Sequence, residues 1–461
     1  MIVLAALAMA AACPQGLCNA TALRPYLAKL AAARGRDGRP VHILQIGDSH
    51  TAGDAISGAW RDLLQTRYGS GGRGVLPPGR PYDGYITHGV TVTASSGWDV
   101  AADFGRASAD PKPLGLSAYS LTAYAPGATM ALDAEPQERF DRVVVCALSR
   151  PGAGSIVIRA GEKIERVALN SPTDRPECET VKLGAPAQHV DLATEDGPVT
   201  ITSWATFLDN GGVALSNLGV VGSQLIHFSR TDDMVLAEEL RAYQPDLIVI
   251  AFGTNEGFSP RFAGFDYEIL LRSQIARMRR LAGNVPILLL GAPDALSRRP
   301  DLKANGAGDA SACSDNLPPL TPPPAPVATE GTGFAATMAK IGQFLGVTAT
   351  GEASNAGPAT TGPSSATSYA PMPSNAPPPG KLALFPPPAL DAVREVQARV
   401  ATSLHTGFWD WQYRMGGRCT ALRWVRAAPP LMRGDYVHYT SAGGREIAQR
   451  LQADLDAAAA K

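Results

Sequence analysis

Val41-His42-Ile43-Leu44-Gln45-Ile46-Gly47-Asp48-Ser49-His50 decides the fold. Its apolar first part is too short for a helix and ends in Gly-Asp, so it reads as a buried strand stopped by a turn that presents Ser49. A helical pattern follows over 55–68, with Trp60, Leu63 and Leu64 on one side. Strand, turn and helix make the start of a βα unit. The same texture returns at 213–222, 246–252 and 285–291, separated by helical patterns at 232–243 and 267–281. Near-continuously apolar strands alternating with amphipathic helices predict a three-layer α/β/α core around a parallel sheet. A fifth strand is expected near 405–411, a first helix over 22–33, and a last helix over 441–460 capped by Thr440 or Ser441.

Between about residues 85 and 214 the texture changes to short segments of period two with frequent turn signals, among them 89–93, 117–122, 142–146, 155–159 and 199–204. That pattern predicts a β-sandwich inserted into the α/β core. The expected organisation is therefore a leader over 1–20, a first part of the core over 39–84, the insert over 85–214 and the second part over 215–461. Residues 318–388 hold 16 of the 38 prolines and four charged residues. This composition predicts a surface tether or lid in place of a regular core element, with one short helix at 334–345. In the sandwich, Trp98, Tyr119, Tyr124 and Trp204 could stack on a sugar ring or fill the core, and Trp409, Trp411 and Trp424 pose the same choice near the C-terminus.

With 41 basic and 42 acidic residues among 461, the chain has no electrostatic footprint for nucleic acid or an anionic membrane. Residues 1–12 are apolar and end in small residues, like the core of a secretory signal, and are too short to span a bilayer. Export to the periplasm or cell envelope is the expectation. Cys13 then reads either as a lipid-modified cysteine or as one half of a disulfide with Cys18. Six cysteines in an exported chain read as a disulfide set, with Cys13–Cys18, Cys146–Cys178 and Cys313–Cys419 the preferred pairing. No cysteine or histidine spacing implies a metal, and no cofactor is expected.

A seryl hydroxyl needs a base to take its proton and donors to hold the oxyanion that forms on attack. Asp435-Tyr436-Val437-His438 supplies an imidazole and a carboxylate able to orient it. Gly253-Thr254-Asn255-Glu256 follows the strand at 246–252, and Gly222 ends the one before it. Backbone N–H groups of Ser49 and Gly222, with the Asn255 amide, would form the oxyanion site at the carboxyl ends of the strands, where open α/β sheets bind ligands. Each motif alone is also an ordinary turn or cap. Their order along the chain, tied to the predicted strands and last helix, carries the reading. His50 could shape the acyl pocket or hold the strand-end loop.

This set resembles the SGNH, or GDSL, hydrolases, whose sequence blocks match Ser49, Gly222, Asn255 and the pair Asp435 and His438. Glu256 stands where an aspartate is usual, and His50 where leucine is. Ile46-Gly47-Asp48-Ser49-His50, Gly253-Thr254-Asn255-Glu256, Trp411-Gln412 with Met415-Gly416-Gly417, and Asp435-x-x-His438 are further similar to bacterial peptidoglycan O-acetylesterases with an inserted carbohydrate-binding-like sandwich. The resemblance implies a flavodoxin-like core and release of acetyl from C6 of muramic acid in O-acetylated peptidoglycan. A glycan O-acetyltransferase and a polysaccharide-binding protein with an idle site are the competing readings.

Overall fold

The computed structural model describes residues 13, 16–34, 38–105, 112–297, 313 and 384–460. The expected leader core at 1–12, the short helix at 334–345 and most of the proline-rich stretch lie outside them. In chain order the strands are β1 (Leu17–Cys18), β2 (Val41–Gly47), β3 (Gly74–Leu76), β4 (Val90–Ala94), β5 (Trp98–Ala102), β6 (Tyr119–Ala123), β7 (Thr129–Ala134) and β8 (Phe140–Ser149). There follow β9 (Ser155–Ala160), β10 (Lys163–Ala168), β11 (Arg175–Ala187), β12 (His189–Glu195), β13 (Val199–Phe207), β14 (Val213–Gly219), β15 (Leu247–Ala251), β16 (Ile287–Leu290) and β17 (Gly407–Trp409).

One sheet has the order β1-β17-β16-β15-β2-β14. Its last five strands are parallel, and β1 closes the edge antiparallel to β17. Counting the parallel strands as they occur in the chain gives the order 2-1-3-4-5, the flavodoxin-like winding, with its switch point between β2 and β15. The alternation along β2 explains why the run is apolar throughout. Val41 and Ile43 pack with Tyr26, Trp60, Leu64, Ile447 and Leu451 of the helices Arg24–Ala31, Ala55–Tyr68 and Ser441–Ala459 on one face. Leu44 and Ile46 pack with Leu236, Ile275 and Val396 of the helices on the other. Both faces of the sheet are covered, so its strands cannot alternate polar with apolar.

The inserted strands form two antiparallel sheets, β10-β9-β12-β7-β4 and β11-β8-β13-β6-β5, with β3 paired to β13. Val143, Val145 and Trp204 point into the sandwich core, whereas Val144, Cys146 and Phe207 face the helix Asp233–Tyr243 of the α/β core. This second sheet is thus buried on both sides, which explains the unbroken apolar run of β8. At the junction the buried carboxylate of Glu239 accepts hydrogen bonds from Leu116 N–H, Thr202 Oγ1 and Ser203 Oγ at 2.5–2.7 Å. Those donors offset the cost of its burial, which still raises its pKa.

Three expectations need correction. Leu17–Cys18 pairs with Phe408 and Trp409 and Cys18 is buried, so the folded region begins inside the segment assigned to the leader. The first helix is shorter than 22–33, being Arg24–Ala31 after a 3-10 turn at Ala20–Leu23. The strand expected to reach residue 222 stops at Gly219, because the chain turns before Gly222, whose φ is +79°. The disulfides are Cys13–Cys18, Cys146–Cys178 and Cys313–Cys419. No helix among the described residues is long and apolar enough to cross a membrane.

Candidate active site

The β2 strand ends at the switch point, between β14 and β15, and its last residue is the place of closest approach. A Cβ on Gly47 would stand 2.5 Å from the Ala251 carbonyl oxygen and 2.4 Å from Thr51 Oγ1, so only glycine lets the chain turn here. Asp48 caps the single helical turn Ser49–Ala52, its carboxylate accepting from His50 N–H at 2.9 Å. Ser49 is the first residue of that turn. Its backbone N–H has no acceptor among the described residues and is free for a ligand.

The loop before the last helix brings the imidazole to it. His438 Nε2 lies 2.9 Å from Ser49 Oγ, and His438 Nδ1 lies 2.9 Å from Asp435 Oδ2. With Nδ1–H donated to the carboxylate, Nε2 is left to accept the serine proton. The other Asp435 oxygen accepts from the N–H groups of Val437 and His438, both at 2.9 Å. Burial opposes ionisation of Asp435, but the bonds from the His438 ring and these two amides outweigh it and hold the carboxyl down to about 2. It is therefore an acceptor at any ordinary pH, and the imidazole is fixed in one tautomer.

Gly222 and Asn255 follow β14 and β15 at the same sheet edge. Asn255 Nδ2 donates to the Ser223 carbonyl at 2.9 Å, and the Asn255 carbonyl accepts from Gln224 Nε2 at 3.0 Å. The amide thus ties the two loops together with one hydrogen and has a second to offer an oxyanion. Glu256, at the position where an aspartate is usual, accepts from Leu225 N–H at 2.7 Å. It anchors the first turn after Gly222, and burial pushes its carboxyl up to about 7. A cavity of about 240 Å³ opens over Ser49 and His438, walled by Tyr82 and Ile86 from the loop before β4, by Val221 and by Arg433.

Two features escaped the sequence. His50, left open between an acyl-pocket role and a loop contact, is buried and bonds to Val437 in the loop that carries His438. Asp54 is a buried carboxylate that accepts from Arg61, Arg73, Ser57 Oγ and His88 N–H. Arg73 in turn donates to Asn217 Oδ1, and Asn217 Nδ2 donates to the Thr51 carbonyl at 3.0 Å. This network fixes both ends of the loop that walls the cavity and joins it to the Ser49 turn. Arg61 and Arg73, seven and nineteen residues after a helix-start aspartate, were the only signal. Of the aromatic candidates, Tyr119, Trp204, Trp409, Trp411 and Trp424 are all buried and serve the cores, whereas Tyr124 is half exposed.

No protein-family model matches the chain, and no curated protein sequence matches it. Among solved structures, one described as a peptidoglycan O-acetylesterase in action is 22% identical, with the match covering 94% of this chain and 95% of that one at a TM-score of 0.64. That likeness extends over both the core and the insert and shows a shared fold, a three-layer α/β/α core with an inserted β-sandwich. A family two carbohydrate esterase from Cellvibrio japonicus (16% identity, 44% of this chain and 79% of that one, TM-score 0.16) is more remote. So is a carbohydrate esterase family 2 enzyme with a carbohydrate-binding domain from Corynascus thermopiles (11% identity, 74% and 96%, TM-score 0.25).

Proposed function

We propose that this chain is a serine esterase that removes O-acetyl groups from a cell-wall glycan outside the cytoplasm, the substrate being C6-O-acetylated muramic acid of peptidoglycan. The observation that carries the reading is the relay Ser49 Oγ, His438 and Asp435, with two successive contacts of 2.9 Å, set at the switch point of the sheet. In the first step His438 Nε2 takes the Ser49 proton as Oγ attacks the acetyl carbonyl. The carbonyl oxygen becomes an oxyanion held by the N–H groups of Ser49 and Gly222 and by the Asn255 amide. Collapse breaks the ester bond, His438 returns the proton to the departing sugar hydroxyl, and acetyl remains on Ser49. Water then repeats the sequence and releases acetate.

Hydrolysis is favoured over transfer to a second glycan because the His438 side chain keeps 36% of its surface exposed, so water reaches the acetyl-enzyme. The fold neighbour described as a peptidoglycan O-acetylesterase supports the choice of glycan. The test is acetate release from O-acetylated peptidoglycan compared with acetylated xylan, for the full chain and for Ser49→Ala. Release from peptidoglycan that Ser49→Ala abolishes is expected. Release only in the presence of an acceptor glycan would make the protein a transferase, and glycan binding with no esterolysis by either form would make it a binding protein.

A further inference from the structure

The oxyanion loop is held from two sides, by the core and by the insert. Between the end of β14 and the turn Leu225–Phe228, its backbone is tied to the core by Val220 N–H to the Gly47 carbonyl and by Asn255 Nδ2 to the Ser223 carbonyl, and within itself by Ser223 N–H to the Val220 carbonyl and Gln224 N–H to His227 Nδ1, while Val221 is 54% exposed. Further support comes from the insert. Where β5 ends, Asp103 and Phe104 leave the sandwich and meet this loop. Ser223 Oγ lies 3.5 Å from Asp103 Oδ2, and Arg230 Nη1 donates to the Asp103 carbonyl at 2.9 Å. The Phe104 ring stacks on His227 with centroids 4.3 Å apart and planes 20° from parallel. Its edge stands 2.8 Å from where a Cβ on Gly222 would be, so the ring lies against the Gly222 backbone itself.

Phe104 is 38% exposed and belongs to none of the apolar cores, so its place against Gly222 is not a by-product of core burial. Its stacking partner His227 accepts from Gln224 N–H through Nδ1 at 3.0 Å, and Gln224 holds the Asn255 carbonyl. One surface ring thus bears on both oxyanion residues. We propose that Phe104 and Asp103 are positioning residues, through which the inserted sandwich holds the Gly222–Ser223 backbone in place for the oxyanion. This rests on the esterase reading. A donor displaced by about 1 Å costs on the order of a hundredfold in rate, so contacts from the sandwich that fix this loop bear directly on catalysis.

Phe104 also lines a second cavity of about 360 Å³, beyond Tyr82 and Val221, where a bulky substrate would touch it directly. A small ester, p-nitrophenyl acetate, carries no glycan to fill that cavity and so separates positioning from glycan binding. With the full chain, Phe104→Ala is expected to lower kcat by about tenfold or more with KM within about twofold, Phe104→Leu to retain most of kcat, and hydrogen exchange across residues 220–228 to rise in Phe104→Ala. Ile164→Ala, on the exposed face of β10, serves as the control and changes neither. Unchanged kcat and exchange in Phe104→Ala overturn the proposal, as does a loss of kcat without faster exchange. An exchange increase in a protein whose parent form hydrolyses no acetyl ester would remove the esterase reading and leave the coupling standing.

Discussion

His50 Nε2 donates to the Val437 carbonyl at 2.9 Å, joining the residue after Ser49 to the residue before His438. The His50 ring is buried between Trp411 and Tyr439, with centroids at 5.5 and 5.6 Å, and its Nδ1 lies 3.2 Å from Asp48 Oδ1. It holds the separation of Ser49 and His438 and lines the cavity over them. Two chain segments that converge only in three dimensions are registered by one hydrogen bond.

Replacing His50 with alanine therefore lowers kcat with little effect on KM, and unfolds more easily by about 1–3 kcal/mol as the Val437 carbonyl loses its partner. Burial lowers the His50 pKa, but Asp48 outweighs it and the net shift is upward. A raised folded pKa means that the stability gained is full below the unfolded value of about 6.5 and is lost as pH rises through the folded one. Denaturant melts at pH 5 and pH 8 should show the gap between parent and His50→Ala narrowing at the higher pH.

Asp435→Asn keeps the shape of the loop but can donate where the carboxylate must accept, so His438 turns to the wrong tautomer. The expected loss in kcat is about 10⁴-fold, with a residual rate above that of water. Equal activity of Asp435→Asn and parent, measured as acetate release at pH 7, would remove the carboxylate from the relay.

Asn255→Ala deletes one oxyanion donor and the tie to the Ser223 carbonyl together. We expect about 3 kcal/mol less transition-state stabilisation, or a hundredfold or more in kcat. Parallel circular dichroism melts distinguish this loss from unfolding, since Asn255 is only partly buried and its removal leaves the cores intact.

Asp54→Asn tests the network behind the cavity wall. Burial raises the Asp54 pKa, yet Arg61 and Arg73 outweigh it and hold the carboxyl at about 2. The folded pKa is depressed, so its stabilisation is present above the unfolded value near 3.8 and is lost as pH falls toward 2. Neutralising it strands two buried guanidinium groups, at a cost of about 3–5 kcal/mol at pH 7. Urea titrations should show that penalty shrinking as the pH is lowered below about 4.

Much of the core was legible because it is written in local patterns. The run ending at Gly47 is apolar on both faces, and the period-two texture of β4, β7 and β12 gives half-exposed strands. The residues of the candidate site could be named for a similar reason, since each sits within a few residues of a strand end or a helix cap. The double burial of β8 and β13 was not visible, because the apolar run 143–148 of β8 looks the same whatever covers its second face and the interleaved threonines of β13 read as a solvent-facing row. The fate of Trp409 and Trp411 was also undecided, as an indole suits a core or a sugar cleft equally well.

The sequence by itself determined which residues could react and the order of the elements that carry them, because turn, cap and periodicity are properties of neighbours along the chain. Only the tertiary structure decided that Ser49 and His438, 389 residues apart, stand 2.9 Å from each other, that His50 holds the base loop, and that Phe104 of the insert rests on Gly222. Contacts of that kind depend on which sheet edges and loops close in space, and short-range chemistry carries no record of it.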